Sequence, residues 1–419
     1  MEYYEINGGR RLSGEVAIHG AKNSVLPLLC ATLLAPGVSV LHNCPNLSDV
    51  EASIAILRHL GCRVEREGDA VIVDASQLER SDVPDELMRE MRSSVIFLGA
   101  ILARTGEADV SMPGGCELGP RPIDLHLSAL RRLGAEIDQQ GGRLRCTGGQ
   151  HLRGAELVLT LPSVGATENA MLCACAARGV TVIRNAAREP EIVDLARCLR
   201  AMGGKVHGAG GSTIVIEGAS SLHGCEHWVI GDRIVCATYL AAAACAGGEI
   251  NLTGAEPEQL ATVIEVLRGA GAEISARDGA LHLRCNQRLN GGAVVRTAPY
   301  PGFPTDAQPV IMAALCTARG SSLFVETMFE NRYRHVDELR RMGADIRVEN
   351  RVAVVSGVEK LHGAAVEAHD LRGGGALCAA ALGAVGATTV TGLAHIRRGY
   401  ASLPEDFRAL GADIRQGTD

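Results

Sequence analysis

LRHLGCRVE (57–65), LRRLGAEID (130–138), LRAMGGKVH (199–207), LRGAGAEIS (267–275), LRRMGADIR (339–347) and FRALGADIR (407–415) are six versions of one phrase. Each reads as the end of a helix, a glycine and a short strand. The glycines are Gly61, Gly134, Gly203, Gly271, Gly343 and Gly411, spaced by 73, 69, 68, 72 and 68 residues. Repeats of this size account for the whole chain, so the architecture is set by repetition before any residue has a role.

Working outward from the phrase, each unit opens on a strand that often contains L-x-G: 12–18, 152–159, 222–230, 289–297 and 361–368. An Ala- and Leu-rich helix follows, as in 25–34, 166–177 and 234–246, then a β-branched strand and a second, amphipathic helix. Ser48-Asp49-Val50-Glu51 and Ser402-Leu403-Pro404-Glu405 have the form of capping boxes at the start of that second helix. The repeat glycine suits the left-handed position that closes it. One helix per unit is almost wholly apolar and is expected to be buried. The fold class is α/β: buried helices surrounded by sheets, an inside-out barrel. Six units fit one six-fold ring or two three-fold domains, and domain size favours the second. Two domains imply a cleft, the usual place for a substrate.

Composition limits what such a chain does. It has 419 residues, 47% hydrophobic but 3% aromatic, with 50 glycines, so small side chains and close backbones must build its cores. The formal charge of -7 argues against a nucleic-acid surface. No apolar run is long enough to span a bilayer, and the opening MEYYEINGGRR lacks a signal-like core, so a cytoplasmic protein is expected. The 14 cysteines are scattered without a C-x-x-C pair. That pattern speaks for small buried residues in a reducing compartment, with no zinc site. Gly208–Gly211 reads as a turn, and no G-x-x-x-x-G-K-[ST] loop is present.

Function is expected where one unit departs from its siblings. Lys22, one of only three lysines, sits in HGAKN at the start of a buried helix, where the dipole attracts anions. PGGCELGPRPIDLH (113–126) is an insertion that no other unit carries, and it places Cys116 within reach of Arg121, a cation that would lower the thiol pKa. PGFPTDAQ (301–308) presents Asp306 at another buried helix, as a helix-start carboxylate or a general base. Arg92, Arg121, Arg233, Arg332, Arg372 and Arg398 lie at unit edges and would suit a multiply anionic substrate.

Taken together, these segments resemble the enolpyruvyl transferase family. The stretches are GAKNSVLPLL (20–29), MRSS (91–94), MPGGCELGPRPIDLH (112–126), SVGATENAM (163–171), NAAREPEIVD (185–194), GDRI (231–234), FPTDAQ (303–308), ETMFENRYRH (326–335), HDLRGGGAL (369–377) and RRGY (397–400). The resemblance implies two domains of three inside-out units, with chain crossings near residues 20 and 230. That gives residues 1–21 plus 230–419 as one domain, and 22–229 as the other, which carries the 112–122 loop.

It also implies a reaction in the cytoplasm and at the start of peptidoglycan precursor synthesis. Phosphoenolpyruvate gives its enolpyruvyl group to the 3-hydroxyl of UDP-N-acetylglucosamine, by addition and elimination, with no cofactor or metal. By resemblance Cys116 is the acid and the target of fosfomycin, and Asp306 is the base. Lys22, Arg121 and Arg398 hold phosphoenolpyruvate, helped by Arg92 and Arg372. Asn23, Arg121, Pro122, Ile123, Asp124, Leu125, Ser163, Val164, Gly165, Asp306 and Met328 contact the nucleotide sugar. The sister enzyme that makes 5-enolpyruvylshikimate 3-phosphate lacks the Pro-Gly-Gly-Cys loop, and a silent sugar-binding paralogue would not need the full charged set. Three departures from the family pattern stand out. Leu161 replaces a basic residue. Arg397 brings like charge, or a second anion contact, next to Arg398. Gly373–Gly375 are expected to loosen a loop after Arg372.

Overall fold

A computed structural model describes residues 2–112, 123–148, 151–219, 221–277 and 279–418, with Arg92 described by its backbone. The described chain forms two compact units: residues 2–19 with 231–418, and residues 20–112 with 123–230.

Each unit contains three four-stranded sheets, and all six sheets have one strand order. The L-x-G strand pairs in parallel with the strand after the buried helix, and two antiparallel strands follow. In one unit the sheet built on Val180–Arg184 takes Glu156–Val158 on its parallel side and Thr213–Glu217 on the other. The L-x-G glycine marks a close backbone approach: a Cβ on Gly154 would lie 2.3 Å from the Val180 carbonyl oxygen. Gly208–Gly211 form the turn between the hairpin strands Lys205–His207 and Thr213–Glu217, closed by the Gly211 N–H on the Gly208 carbonyl at 3.0 Å.

Three helices fill each interior. Arg233–Ala246, Gln308–Leu315 and Leu371–Gly383 pack on one another in the first unit, and Lys22–Ala31, Phe97–Thr105 and Val164–Ala174 do so in the second. All eight residues of Gln308–Leu315 are buried. Such helices are rich in Ala, Gly and Cys because neighbouring backbones pack closely, with Phe97 and Tyr239 as the buried aromatic rings among them.

The repeated phrase has a single structural meaning. All six glycines have positive φ, from 87° to 107°. At each one the glycine N–H reaches back to the arginine carbonyl and the next N–H to the leucine or phenylalanine carbonyl. Gly61 to Arg58 (3.1 Å) with Cys62 to Leu57 (3.0 Å) is one example. This is the Schellman closure, with its apolar contact between the flanking buried residues. The arginine of the phrase does further work. Arg58, Arg200, Arg268 and Arg340 donate to the carbonyls of Val64, Val206, Ile274 and Ile346, each six residues on in the next strand.

Two expectations are corrected. Leu12–Ala17, read as the first strand of its own unit, pairs in parallel with Gly248–Thr253, while Glu226–Trp228 pairs with Val38–His42. The two L-x-G strands have exchanged units. Glu2–Asn7 completes the sixth sheet between Ala387–Thr391 and Asp413–Thr418. The capping boxes do not form. The helix Ser48–His59 starts after an extended Leu47 with no side-chain cap, and Ser402 Oγ donates to Asp406 Oδ2 at 2.9 Å. Asp49, the second residue of the first box, is drawn instead to a lysine.

The closures differ in what a side chain would meet. A Cβ on Gly203 would lie 3.2 Å from the movable His223 ring, whereas on Gly61 it would lie 2.9 Å from the backbone nitrogen of Glu79. Gly203→Ala is expected to cost about 1–2 kcal/mol from the left-handed backbone alone, and Gly61→Ala clearly more. Urea unfolding of the two variants checks this, and equal midpoints would contradict it.

Candidate functional site

Lys22 is the first residue of the helix Lys22–Ala31, which has no side-chain cap. It is only 8% exposed, and its Nζ lies 2.6 Å from Oδ2 of the buried Asp49. A buried ammonium needs such a partner, and the carboxylate fixes its direction. The pair joins the first turns of two helices. Two residues on, Ser24 Oγ donates to Asp194 Oδ2. The other oxygen of the buried Asp194 meets His227 Nε2 at 2.9 Å. Asn23, between these anchors, is exposed.

Ser163 N-caps the helix Val164–Ala174, accepting from the Ala166 N–H at 3.4 Å. Beneath it, Asn169 accepts from the Gly99 N–H at 2.7 Å and donates to the Val95 carbonyl at 3.0 Å and to His126 Nδ1 at 2.7 Å. The amide donor assigns the ring proton of His126 to Nε2. Burial pushes the His126 pKa down to about 4, against the pull of Asp124, so the ring is neutral. A Cβ at Gly165 would lie 2.9 Å from His126 Cε1. The Ser163–Gly165 turn therefore packs on the helix Asp124–Arg132, whose start carries the half-buried Ile123 and Leu125 and the exposed Asp124. Glu168 behind them is pushed well above the usual carboxylate range by burial, then by Glu191 and Glu189.

In the other unit Asp306 lies in the short turn Thr305–Ala307 that leads into the helix Gln308–Leu315. Arg332 Nη2 donates to Asp306 Oδ1 at 2.8 Å and to the Thr305 carbonyl at 2.9 Å, and Arg372 Nε donates to Asp306 Oδ2 at 3.2 Å. Both guanidinium side chains are 2% exposed, while that of Asp306 is 29% exposed. The carboxylate is thus fixed by two buried cations yet keeps part of its surface open. Burial works against the charge of Arg372, but Asp306 and then Tyr400, whose ring lies 5.7 Å away, hold its pKa above the ordinary value. Glu326 ties the next loop to the same turn. It accepts from Thr305 Oγ1 (2.9 Å), Thr297 Oγ1 (3.0 Å) and the N–H groups of Met328 (2.7 Å) and Phe329 (3.1 Å). Among the described residues, Arg372 Nη1, Gln308 Oε1 and Asp370 Oδ2 are buried with no protein partner.

The remaining residues are distributed as follows. Arg92 opens the short helix Arg92–Ile96, and Arg398 is half-buried just beyond the helix Leu393–Ile396. Arg233 stacks under Tyr300 at 5.7 Å. Leu161 is 66% exposed. Cys116, Arg121 and Pro122 lie outside the described residues. Arg397 is turned onto Glu2, with contacts of 2.6 and 3.0 Å, and is occupied in a surface pair. One expectation fails. Gly373–Gly375 form no loose loop: they are buried in the first turns of Leu371–Gly383. A Cβ would lie 2.5 Å from Ile396 at Gly374 and 2.4 Å from the Tyr400 hydroxyl at Gly375. The glycines there permit close approach. Sequence reasoning missed Asp49, hidden in a supposed capping box. It also missed Glu326, whose signal was a glutamate where two sibling units end the matching strand in the left-handed residues Asn43 and Asn185.

The sequence matches the profile of EPSP synthase (3-phosphoshikimate 1-carboxyvinyltransferase) across residues 6–407. The chain belongs to this family of enolpyruvyl transferases. Within the family it is 53% identical, over 99% of both chains, to UDP-N-acetylglucosamine 1-carboxyvinyltransferase 2 of Caldanaerobacter subterraneus subsp. tengcongensis. It is 50% identical to UDP-N-acetylglucosamine 1-carboxyvinyltransferase 1 of Symbiobacterium thermophilum, over 99% of this chain and 95% of the other. The crystal structure of the enolpyruvyl transferase NikO from Streptomyces tendae aligns with a TM-score of 0.89 and 27% identity, covering 100% of this chain and 99% of the other. EPSP synthase from Acinetobacter baumannii shares the fold, with a TM-score of 0.79 at 20% identity over the full length of both chains.

The buried histidines make stability depend on pH. Burial also pushes His335 downward. The unfolded chain binds these protons near pH 6.5 and the native one does not until lower pH, so stability falls as pH drops from about 6.5 towards 4. For His126 the loss is about 2 kcal/mol by pH 5. His126→Gln removes that share. Its urea midpoint is expected to change less between pH 7 and pH 5 than that of the unaltered protein, and an equal change would contradict the neutral buried ring.

Proposed function

We propose that this chain transfers the enolpyruvyl group of phosphoenolpyruvate to the 3-hydroxyl of UDP-N-acetylglucosamine, releasing phosphate at the entry to peptidoglycan precursor synthesis. The observation that carries the reading is 53% identity over 99% of the chain to an enzyme named for that transfer, with the charged set Lys22, Asp306, Arg372 and Arg398 intact.

The chemistry needs a proton for the methylene carbon, a base for the sugar hydroxyl and cations for phosphate and carboxylate. Lys22, oriented by Asp49, supplies a fixed positive charge at a helix start. Arg398 and Arg121, with Arg92, complete the anion contacts. Asp306, held at both oxygens by Arg332 and Arg372, presents its remaining surface to the hydroxyl as base. The spare Nη1 of Arg372 is a donor for a ligand oxygen. Cys116 protonates the methylene carbon. Asn23, Ile123–Leu125, Ser163–Gly165 and Met328 take the nucleotide sugar, without a basic contact at Leu161. No described helix is long and apolar enough to cross a membrane, and we place the reaction in the cytoplasm.

Phosphate release from phosphoenolpyruvate should require UDP-N-acetylglucosamine. Release only with shikimate 3-phosphate, or binding without turnover, would overturn the reading. Cys116→Ser is expected to lower turnover by on the order of 10²–10⁴-fold at neutral pH and to resist alkylation by fosfomycin. Full alkylation of that variant would refute the role of Cys116.

A further inference from the structure

Most described thiols in this chain are inert. Burial pushes those of Cys173, Cys175, Cys316 and Cys378 up to about 12. Cys225 differs in position and surroundings. It lies just before the exchanged strand Glu226–Trp228, half-buried, beside His223 and two residues before His227. Its Sγ is 3.6 Å from Sγ of Cys198, a fully buried residue in the helix Pro190–Ala201.

We propose that Cys198 and Cys225 are a redox pair that closes reversibly to a disulfide when the protein meets a hydroperoxide. A disulfide needs its sulfurs about 2.05 Å apart, so the side chains must close roughly 1.5 Å. Cys225 is the attacking thiol because it is the partly exposed member. As a thiolate Cys225 can only accept from the Cys198 S–H, and despite burial this bond, with His227 and His223 nearby, brings its pKa down to about 7. The same bond holds the Cys198 thiol up.

The chemistry balances in two steps. The Cys225 thiolate attacks one peroxide oxygen and breaks the O–O bond. A sulfenic acid forms on Cys225, and the other oxygen leaves as water after taking a proton. Cys198 sulfur then attacks the Cys225 sulfur, the S–O bond breaks, and the thiol proton leaves with hydroxide as a second water. One hydrogen peroxide is reduced and two thiols are oxidised. A dithiol reductant reverses the change by exchange.

The bridge would tie the incoming strand to the helix that carries Asp194. That residue already holds His227 on one oxygen and Ser24, two residues from Lys22, on the other. The pair therefore reports oxidation to the segment that supports the Lys22 helix.

Trypsin separates the pair: cleavage after Arg197 and Arg200 frees Cys198 in a tripeptide, and cleavage after Lys205 and Arg233 frees Cys225 in a peptide with no other cysteine. The full-length reduced protein is treated with hydrogen peroxide, blocked with N-ethylmaleimide and digested without reductant. The expected product is the tripeptide joined to residues 206–233, released by dithiothreitol. Cys225→Ser should abolish it and leave Cys198 as a free thiol. Recovery of both wild-type peptides alkylated, of Cys225 over-oxidised without a link, or of either cysteine joined elsewhere would overturn the proposal.

Discussion

The left-handed glycine at the end of each outer helix is the constraint on which the rest of the fold depends. It lets two N–H groups turn back onto the last turn and sends the chain off in a fixed direction. Because that direction is the same six times, each following strand arrives at the same edge of a four-stranded sheet. In four units the preceding arginine fastens that strand by its carbonyl six residues on. Regular sheets in turn leave room for a helix of small residues on their inner side.

On this scaffold, the candidate site is built from charge that is buried and paired. Lys22 with Asp49, and Asp306 between Arg332 and Arg372, are costly to desolvate and are therefore held in tight geometry. Hydrophobic residues would pack as well at lower cost. What the ion pairs supply is orientation of a cation in one unit and of a carboxylate in the other, without reliance on flexible side chains.

Much of this was legible in the sequence. The six-fold phrase gave the units, the positive-φ glycines and the buried helices, because these follow from local periodicity and from backbone angles only glycine adopts freely. Lys22, Asp306 and the arginines were visible as departures from the repeat. What escaped were partnerships. Ser48 and Glu51 spell a capping box locally, yet the helix starts without a side-chain cap, and Asp49 between them pairs with a buried lysine 27 positions earlier. Arg397 was legible only as like charge, or a second anion contact, next to Arg398, while its partner Glu2 lies at the far end of the chain. Gly373–Gly375 looked loose, although their role is to admit Ile396 and Tyr400.

By itself, then, the sequence determined the number of units, the buried and the amphipathic helix of the repeat and the segments that break the pattern, since each is written in neighbouring residues. Tertiary structure alone decided which strand joins which sheet. Leu12–Ala17 and Glu226–Trp228 carry related L-x-G signals that the repeat by itself cannot tell apart, and long-range register assigns them to opposite units. It also decided which charges meet. Burial strengthens a pairing between residues distant in the chain enough to override a local preference, and no local pattern records that.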